Sequence, residues 1–292
     1  MIRNNTPFRL LGISFLGIVA TAAYGQLDVG SDGSDGALVV SANTEIDLSQ
    51  AVTASWDTPS PTPGKGVYDP DKWAVVFKYA SVTVNANTTV TFKNHPSRAP
   101  VVWLVAGDVT INGIVGLSGR QGHASGLSIA PADPGPGGFR GARGIGGSSD
   151  GSGGYGPGGA ILPISGGTAG AGGSYGTSGV PASWGDGGTP GPTYGSERSI
   201  PLIGGSGGAA GRAGDGSGAG AGGGAILIAA NGTITINGQL LADGGMSPWR
   251  SGGGSGGTIR LVGNRRRQRL VESPWRHSQR LWWQRRCRTY PC

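Results

Sequence analysis

Three aspartates, Asp28, Asp32 and Asp35, stand among glycines and serines in an Asp-x3-Asp-x2-Asp arrangement. Carboxylates on such a loop are the hard oxygen donors that Ca2+ gathers six to eight at a time. The spacing matches neither an EF-hand nor a nonapeptide Ca2+ repeat. The expectation is an irregular Ca2+ site on Asp28, Asp32 and Asp35, with a solvated N-terminal segment as the plainer reading; no other cofactor is expected. Asp69 and Asp71 flank Pro70, and with Asp108 they are the acids that could work on a glycosidic bond from a groove. A turn rich in Pro and Asp accounts for the first two equally. Gly-x-Ser-x-Gly, the nucleophile elbow of serine hydrolases, surrounds Ser149, Ser174, Ser206 and Ser255. An elbow needs a strand before the serine and a helix after it. No segment has helical periodicity, and a chain with 61 glycines produces such matches by chance. No catalytic residue is expected.

The elements that would position these groups are short strands. Apolar residues recur two apart and then pause: Val82 and Val84, Val90 and Phe92, Val102 and Leu104, Val109 and Ile111, Val115 and Leu117. Period two is the mark of a strand with one buried face. Gly107-Asp108-Val109-Thr110-Ile111-Asn112-Gly113 returns as Gly232-Thr233-Ile234-Thr235-Ile236-Asn237-Gly238, and Gly223–Ile228 rhymes with Gly256–Leu261. Strands this short cannot bury a face alone, so the expected fold is all-β: a parallel β-helix or β-solenoid whose rungs cover one another. Between the strand zones, residues 119–224 hold 40 of the 61 glycines. They lack the strict three-residue repeat of collagen. This long glycine-rich insertion is expected to be partly disordered, because ordering glycine is costly in entropy.

The ends of the chain differ from the middle. Arg3 and Arg9 precede the apolar run Leu10–Ala20, and small residues up to Gly25 read as a peptidase site. Residues 1–25 are therefore expected to be a signal peptide, placing the protein outside the cell or on its surface. No later stretch has the length and apolarity of a membrane span. The net charge of +7 comes from the last 29 residues, which carry nine arginines against Glu272, and also both cysteines, Cys287 and Cys292. Arg and Trp codons of the form CGG and TGG become GGN, glycine, when read one base on. Trp282–Arg286 then reads Gly-Gly-Ser-Gly-Gly, the idiom of the preceding chain. Residues 264–292 are thus expected to be an out-of-frame tail, and the chain a piece of a longer one. The expected organisation is 1–25 signal peptide, 26–118 strand-rich part, 119–224 glycine-rich insertion, 225–263 returning repeats and 264–292 basic tail.

Through Asp28–Ala37, Lys72–Tyr79 and Val101–Val105, the chain resembles a group of exported glycine-rich proteins of planctomycete-like and verrucomicrobia-like bacteria. The likeness extends over about residues 26–262 and implies surface or extracellular placement, with no catalytic residues to carry over. With charged residues only 13% of the chain, the expected function is a non-catalytic cell-surface or matrix protein, structural or adhesive. Its expected partners are surface glycans or matrix polysaccharide, not nucleic acid. The alternative is a carbohydrate-active β-helix enzyme, a hydrolase or lyase.

Overall fold

The alternating runs form strands, and almost nothing else regular forms. The computed structural model describes residues 27–123, 130–144, 152–162, 169–182, 187–211, 217–247 and 250–264. The signal-peptide segment and the basic tail beyond Asn264 lie outside them. In chain order the strands are β1 Gly36–Val40, β2 Thr44–Asp47, β3 Val52–Thr53, β4 Val67–Asp69, β5 Ala74–Val84 and β6 Thr89–Lys93. They continue as β7 Val101–Val105, β8 Val109–Ile111, β9 Ile114–Gly116, β10 Ala225–Ile236, β11 Gln239–Leu241 and β12 Thr258–Asn264. Eight of them make one sheet, with a main path β12-β10-β7-β5-β4-β3, and β11-β9-β6-β2 make a second.

Both internal repeats are pairing registers. Val109, Thr110 and Ile111 lie beside Ile234, Thr235 and Ile236, an offset of 125 residues, and Val115 lies beside Leu240. Ala225 to Ala229 run beside Thr258 to Val262. The two Asn-Gly corners also stack, with Asn237 Nδ2 donating to Asn112 Oδ1 at 2.9 Å. Between the two sheets lies the main core: Val75, Phe77, Tyr79, Trp103, Val105, Ile111, Val90, Val115, Ile226 and Ile228 are all buried there. Phe77 and Trp103 are register partners and both fully enclosed. Strand β5 is covered on both faces, since Ala74 and Val76 meet a second cluster with Val102 and Leu104.

One expectation about the fold is corrected. The chain is not a β-solenoid. Its large sheet is mixed, because β4 runs antiparallel to β5, and its layers do not recur at one chain interval. A solenoid is quasi-one-dimensional, each repeat touching only its neighbours. Here the residues between β9 and β10 break that rule. The glycine-rich insertion, in turn, is ordered wherever it is described. Eight successive amides, from Gly218 to Ala225, donate in three directions in strict rotation. Gly218, Ala221 and Gly224 donate to His123, Arg120 and Leu117; Ala219, Gly222 and Ala225 donate to Ala142, Phe139 and Pro136; Gly220 and Gly223 donate to Gly252 and Ser255. A fourth neighbour comes in the reverse sense, as Gly205 and Gly208 donate to Gly223 and Gly220.

Three residues per turn is the period of a polyproline II chain, which has no internal hydrogen bonds and directs its amides outward. Packed side by side, such segments satisfy one another and form a lattice in two dimensions. Glycine is required by distance: a Cβ at Gly222 would fall on the Gly205 carbonyl, and one at Gly207 on the Arg140 carbonyl. Where a gap opens, a methyl fills it, as Ala142, Ala210 and Ala219 do together. Ordering a residue costs about 1–2 kcal/mol, and a hydrogen bond returns about 0.5–1.5 kcal/mol net. A single segment would therefore not hold, whereas one bonded to several neighbours and anchored on the strand core does.

Candidate functional site

Charge gathers at a concavity where the loop after β6 faces the first glycine segment. It forms a cleft of about 600 Å3 whose walls include Lys93, His95, Arg98, Arg120 and Arg140, with Glu45 and Asp133 at intervals. The loop is clamped from three sides. Trp73 Nε1 donates to the Ser97 carbonyl at 3.1 Å, Asn94 Nδ2 donates to the Pro134 carbonyl at 2.8 Å, and the Gly137 amide donates to the Arg98 carbonyl at 2.9 Å. Arg98 closes a turn by donating its amide to the His95 carbonyl, and it does so at φ 54°. A side chain other than glycine in that left-handed region costs about 1–3 kcal/mol and persists only where its surroundings impose it.

Burial, and after it the neighbouring Arg140 charge, hold the Arg98 guanidinium below its ordinary pKa. Arg140 Nε sits 3.3 Å from Asp133 Oδ1. Lys93 is paired with Asp47 at 2.8 Å, and that bond raises the lysine above its usual value while drawing Asp47 down to about 2. Burial pushes the His95 imidazole below its ordinary pKa, so the ring is neutral near pH 7. Its Nδ1 accepts the Ser97 amide at 3.1 Å and lies 2.7 Å from Ser97 Oγ, while its face stacks on Tyr68 with centroids 4.1 Å apart. An acceptor at Nδ1 places the proton on Nε2. In this tautomer His95 offers its Nε2–H as a hydrogen-bond donor.

The residues singled out from the sequence are positioned elsewhere. Asp28 Oδ1 accepts the Gly30 amide, and Asp32 Oδ1 accepts the Ser34 amide. Buried Asp35 takes three amides, those of Gly64, Gly66 and Lys78. Each aspartate thus has its own backbone partner. Among the described residues no group of three or more His, Cys, Asp or Glu is placed to hold a metal ion. Asp69 accepts the amides of Trp56, Asp71 and Lys72, which keep its carboxyl below the usual range, the Trp56 bond contributing most. Asp108 Oδ1 accepts the Thr233 amide at 2.7 Å. None of Asp69, Asp71 and Asp108 lines the cleft.

The motif serines do come together, but for packing. Ser206 donates its amide to Ser255 Oγ at 2.8 Å, and Ser255 Oγ donates to the Ser174 carbonyl at 3.1 Å. Ser174 Oγ donates to the Gly191 carbonyl, and Ser206 Oγ accepts the Gly158 amide and donates to Tyr194 Oη. These are pins between lattice segments, with no imidazole among their partners. Ser149 lies outside the described residues. Of the tryptophans in the strand region, Trp103 is wholly enclosed, while Trp56 and Trp73 pack half-buried against the two cores.

The sequence alone gave no notice of the cleft. Its cations come from three separate stretches, and the arginine-rich tail dominates the overall charge. The available signal is a local excess: residues 93–143 carry Lys93, Arg98, Arg120, Arg140 and Arg143 against Asp108 and Asp133. No family model, no curated protein and no solved structure matches the chain. The architecture and the cleft therefore supply the functional reading.

Proposed function

We propose that the protein is an exported, non-catalytic surface or matrix protein, structural or adhesive, working without a resident metal or cofactor. The observation that carries this reading is the use made of its reactive side chains. Ser174, Ser206, Ser255, Asp35, Asp69 and Asp108 are all engaged in holding backbone segments together. His95, in the cleft, has its Nδ1 taken up by the Ser97 amide and hydroxyl. The scaffold they secure is a slab of hydrogen-bonded glycine segments on a strand core, suited to load and display. The carbohydrate-active alternative has one point in its favour, the arginine-lined cleft, since such enzymes neutralise acidic sugars with arginine. The acids in that cleft, Glu45 and Asp133, stand beside its arginines, and Asp133 is already paired with Arg140 at 3.3 Å.

Incubation with a panel of neutral and acidic polysaccharides tests the reading. The expected result is no release of reducing ends or unsaturated sugars, with unchanged thermal stability on adding Ca2+ or a chelator. Turnover that disappears in an Asp133→Asn variant would favour the enzyme. A rise in Tm with Ca2+ that is lost in Asp32→Asn would restore a metal to the N-terminal aspartates.

A further inference from the structure

We propose that the cleft between the loop after β6 and the first glycine segment is a binding site for an acidic polysaccharide, whose carboxylate or sulfate groups are received by Arg98, Arg120 and Arg140. This rests on the reading of the protein as a surface or matrix component and names the partner of that same site.

Charge supplies the first argument. Arg98 and Arg140 both line the cleft; Arg98 is partly withdrawn from water and feels the Arg140 charge, which Asp133, 3.3 Å from Arg140 Nε, offsets only in part. An anion between them removes the repulsion and completes the charge-assisted pairs that guanidinium forks make with planar oxyanions. Backbone strain agrees with that use. Arg98 is held at φ 54° by backbone hydrogen bonds, its amide to the His95 carbonyl and its carbonyl from the Gly137 amide, which fixes its backbone at the cleft wall. The volume, about 600 Å3, lies in the range of ligand clefts.

The acceptors in the same cleft identify a sugar. Glu45 and Asp133 line it beside the arginines, and Asn94 Oδ1 in its wall is a buried acceptor with no partner. A polysaccharide offers hydroxyl donors to these groups between its charged ones. A phosphodiester backbone offers few such donors. Single-stranded nucleic acid also binds by stacking bases on open aromatic faces. The rings here are already engaged, Phe92 against Trp103 in the core and His95 against Tyr68. His95 adds its Nε2–H as a neutral donor for a hydroxyl or carboxylate oxygen.

Affinity electrophoresis and calorimetry of the mature protein would use five polymers: polygalacturonate, its full methyl ester, heparin, dextran and oligo-dT. Binding is expected to polygalacturonate or heparin and to neither neutral polymer. The preferred member of the charged pair tells carboxylate from sulfate. A double variant, Arg98→Gln with Arg140→Gln, should weaken binding by about 10-fold or more, the equivalent of about 1.4 kcal/mol. Its near-ultraviolet circular dichroism should stay unchanged, and Lys65→Gln, an exposed charge outside the cleft, should bind as the parent does. Equal affinity for the methyl ester, tighter binding of oligo-dT, an unaffected double variant or the absence of any polyanion binding would each overturn the proposal. The two readings fail separately. Unsaturated or reducing ends released from a bound polymer overturn the non-catalytic reading and leave the ligand class standing. No binding and no turnover remove the cleft's ligand and leave the structural reading intact.

Discussion

The strand core and the glycine lattice share one chain and one stacking direction, yet they are held by opposite means. In the strand core, period two sends every second side chain inward, and stability comes from burying Trp103, Phe77, Ile226 and their neighbours. In the lattice, period three sends successive amides to different segments, and the space between backbones is too small for anything but hydrogen or a methyl. The registers join without a step. Val115 pairs with Leu240 in β9 and β11, and immediately beyond them the amides of Leu117, Gly119 and Gly122 donate to Leu241, Asp243 and Met246. A strand ladder thus passes directly into a polyproline-like ladder. Apolar burial supplies the free energy on one side of that junction, and backbone pairing inherits the alignment on the other.

The sharpest way to break the comparison is to remove side-chain volume from the strand core. Trp103→Ala should cost about 3–5 kcal/mol, as large-to-small changes at enclosed aromatic sites do. Because the lattice borrows its alignment from the core, both regions should unfold together in denaturant, with one transition by fluorescence and by amide exchange. A variant whose lattice amides stay protected while the strands exchange would show that the lattice is self-supporting.

Adding volume to the lattice is the complementary experiment. Gly222→Ala places a methyl on the Gly205 carbonyl, and overpacking of this kind costs about 1–3 kcal/mol. The expected loss is local: faster amide exchange for residues 204–211 and 217–224, with β5, β7 and β10 still protected. Trp103→Ala and Gly222→Ala should therefore differ more in where exchange accelerates than in total stability. Uniform acceleration after Gly222→Ala would mean that the two regions form one cooperative unit.

A third, smaller effect concerns the hydroxyl pins. Ser206→Ala leaves the Gly158 amide without its partner and removes the bond to Tyr194 Oη, which keeps its own to the Gly204 carbonyl; the unpaired buried amide costs about 1–3 kcal/mol. Ser206→Thr retains the hydroxyl but adds a methyl where space is short, so it should not rescue fully. In the strand region, by contrast, Thr110→Ala, on a half-buried surface, should change little. A large effect at Thr110 would remove the distinction.

These contrasts also explain what the sequence disclosed. Strands were legible because alternation is local: Val82, Val84, Val109 and Ile111 announce their face within a few residues. The pairing partners were legible because the 107–113 segment is copied at 232–238, and like segments align. The lattice was not legible. Gly-Gly-Ser-Gly-Gly around Ser206 has the composition of a flexible linker, and its order depends on neighbours as distant as Ser255 and Phe139, which no local window contains. The cleft was hidden for a related reason. Lys93, Arg98, Arg120 and Arg140 look like scattered solvated charges until β6, β7 and β9 bring their flanking loops to one side. The three N-terminal aspartates show the reverse, a cluster in sequence that the fold distributes among separate backbone amides.

The smallest predicted effect separates the regions by pH. Asp47 lies in the strand region, where the hydrogen bond from Lys93, and after it that from Ser49, hold its carboxyl at about 2, against an ordinary value of 3.8. Asp69, also in that region, is depressed as well. A carboxyl whose folded pKa is below its unfolded value stabilises the fold fully above the unfolded value, and that contribution is lost as pH falls through the folded one. Tyr194 is the lattice counterpart of opposite sign. Burial raises its hydroxyl to about 12, so its contribution is complete below about 10 and is lost as pH rises toward 12. Acidification from about pH 4 to 2 should therefore loosen the strands around β2 and β6 first, seen as amide exchange there before residues 204–224 respond. Asp47→Asn should flatten that acid response without moving the alkaline limb, because the substituted side chain carries no charge to protonate. If the lattice amides respond first in acid, the electrostatic half of the comparison is wrong, and the cohesion of the glycine segments depends on charges well outside their own hydrogen bonds.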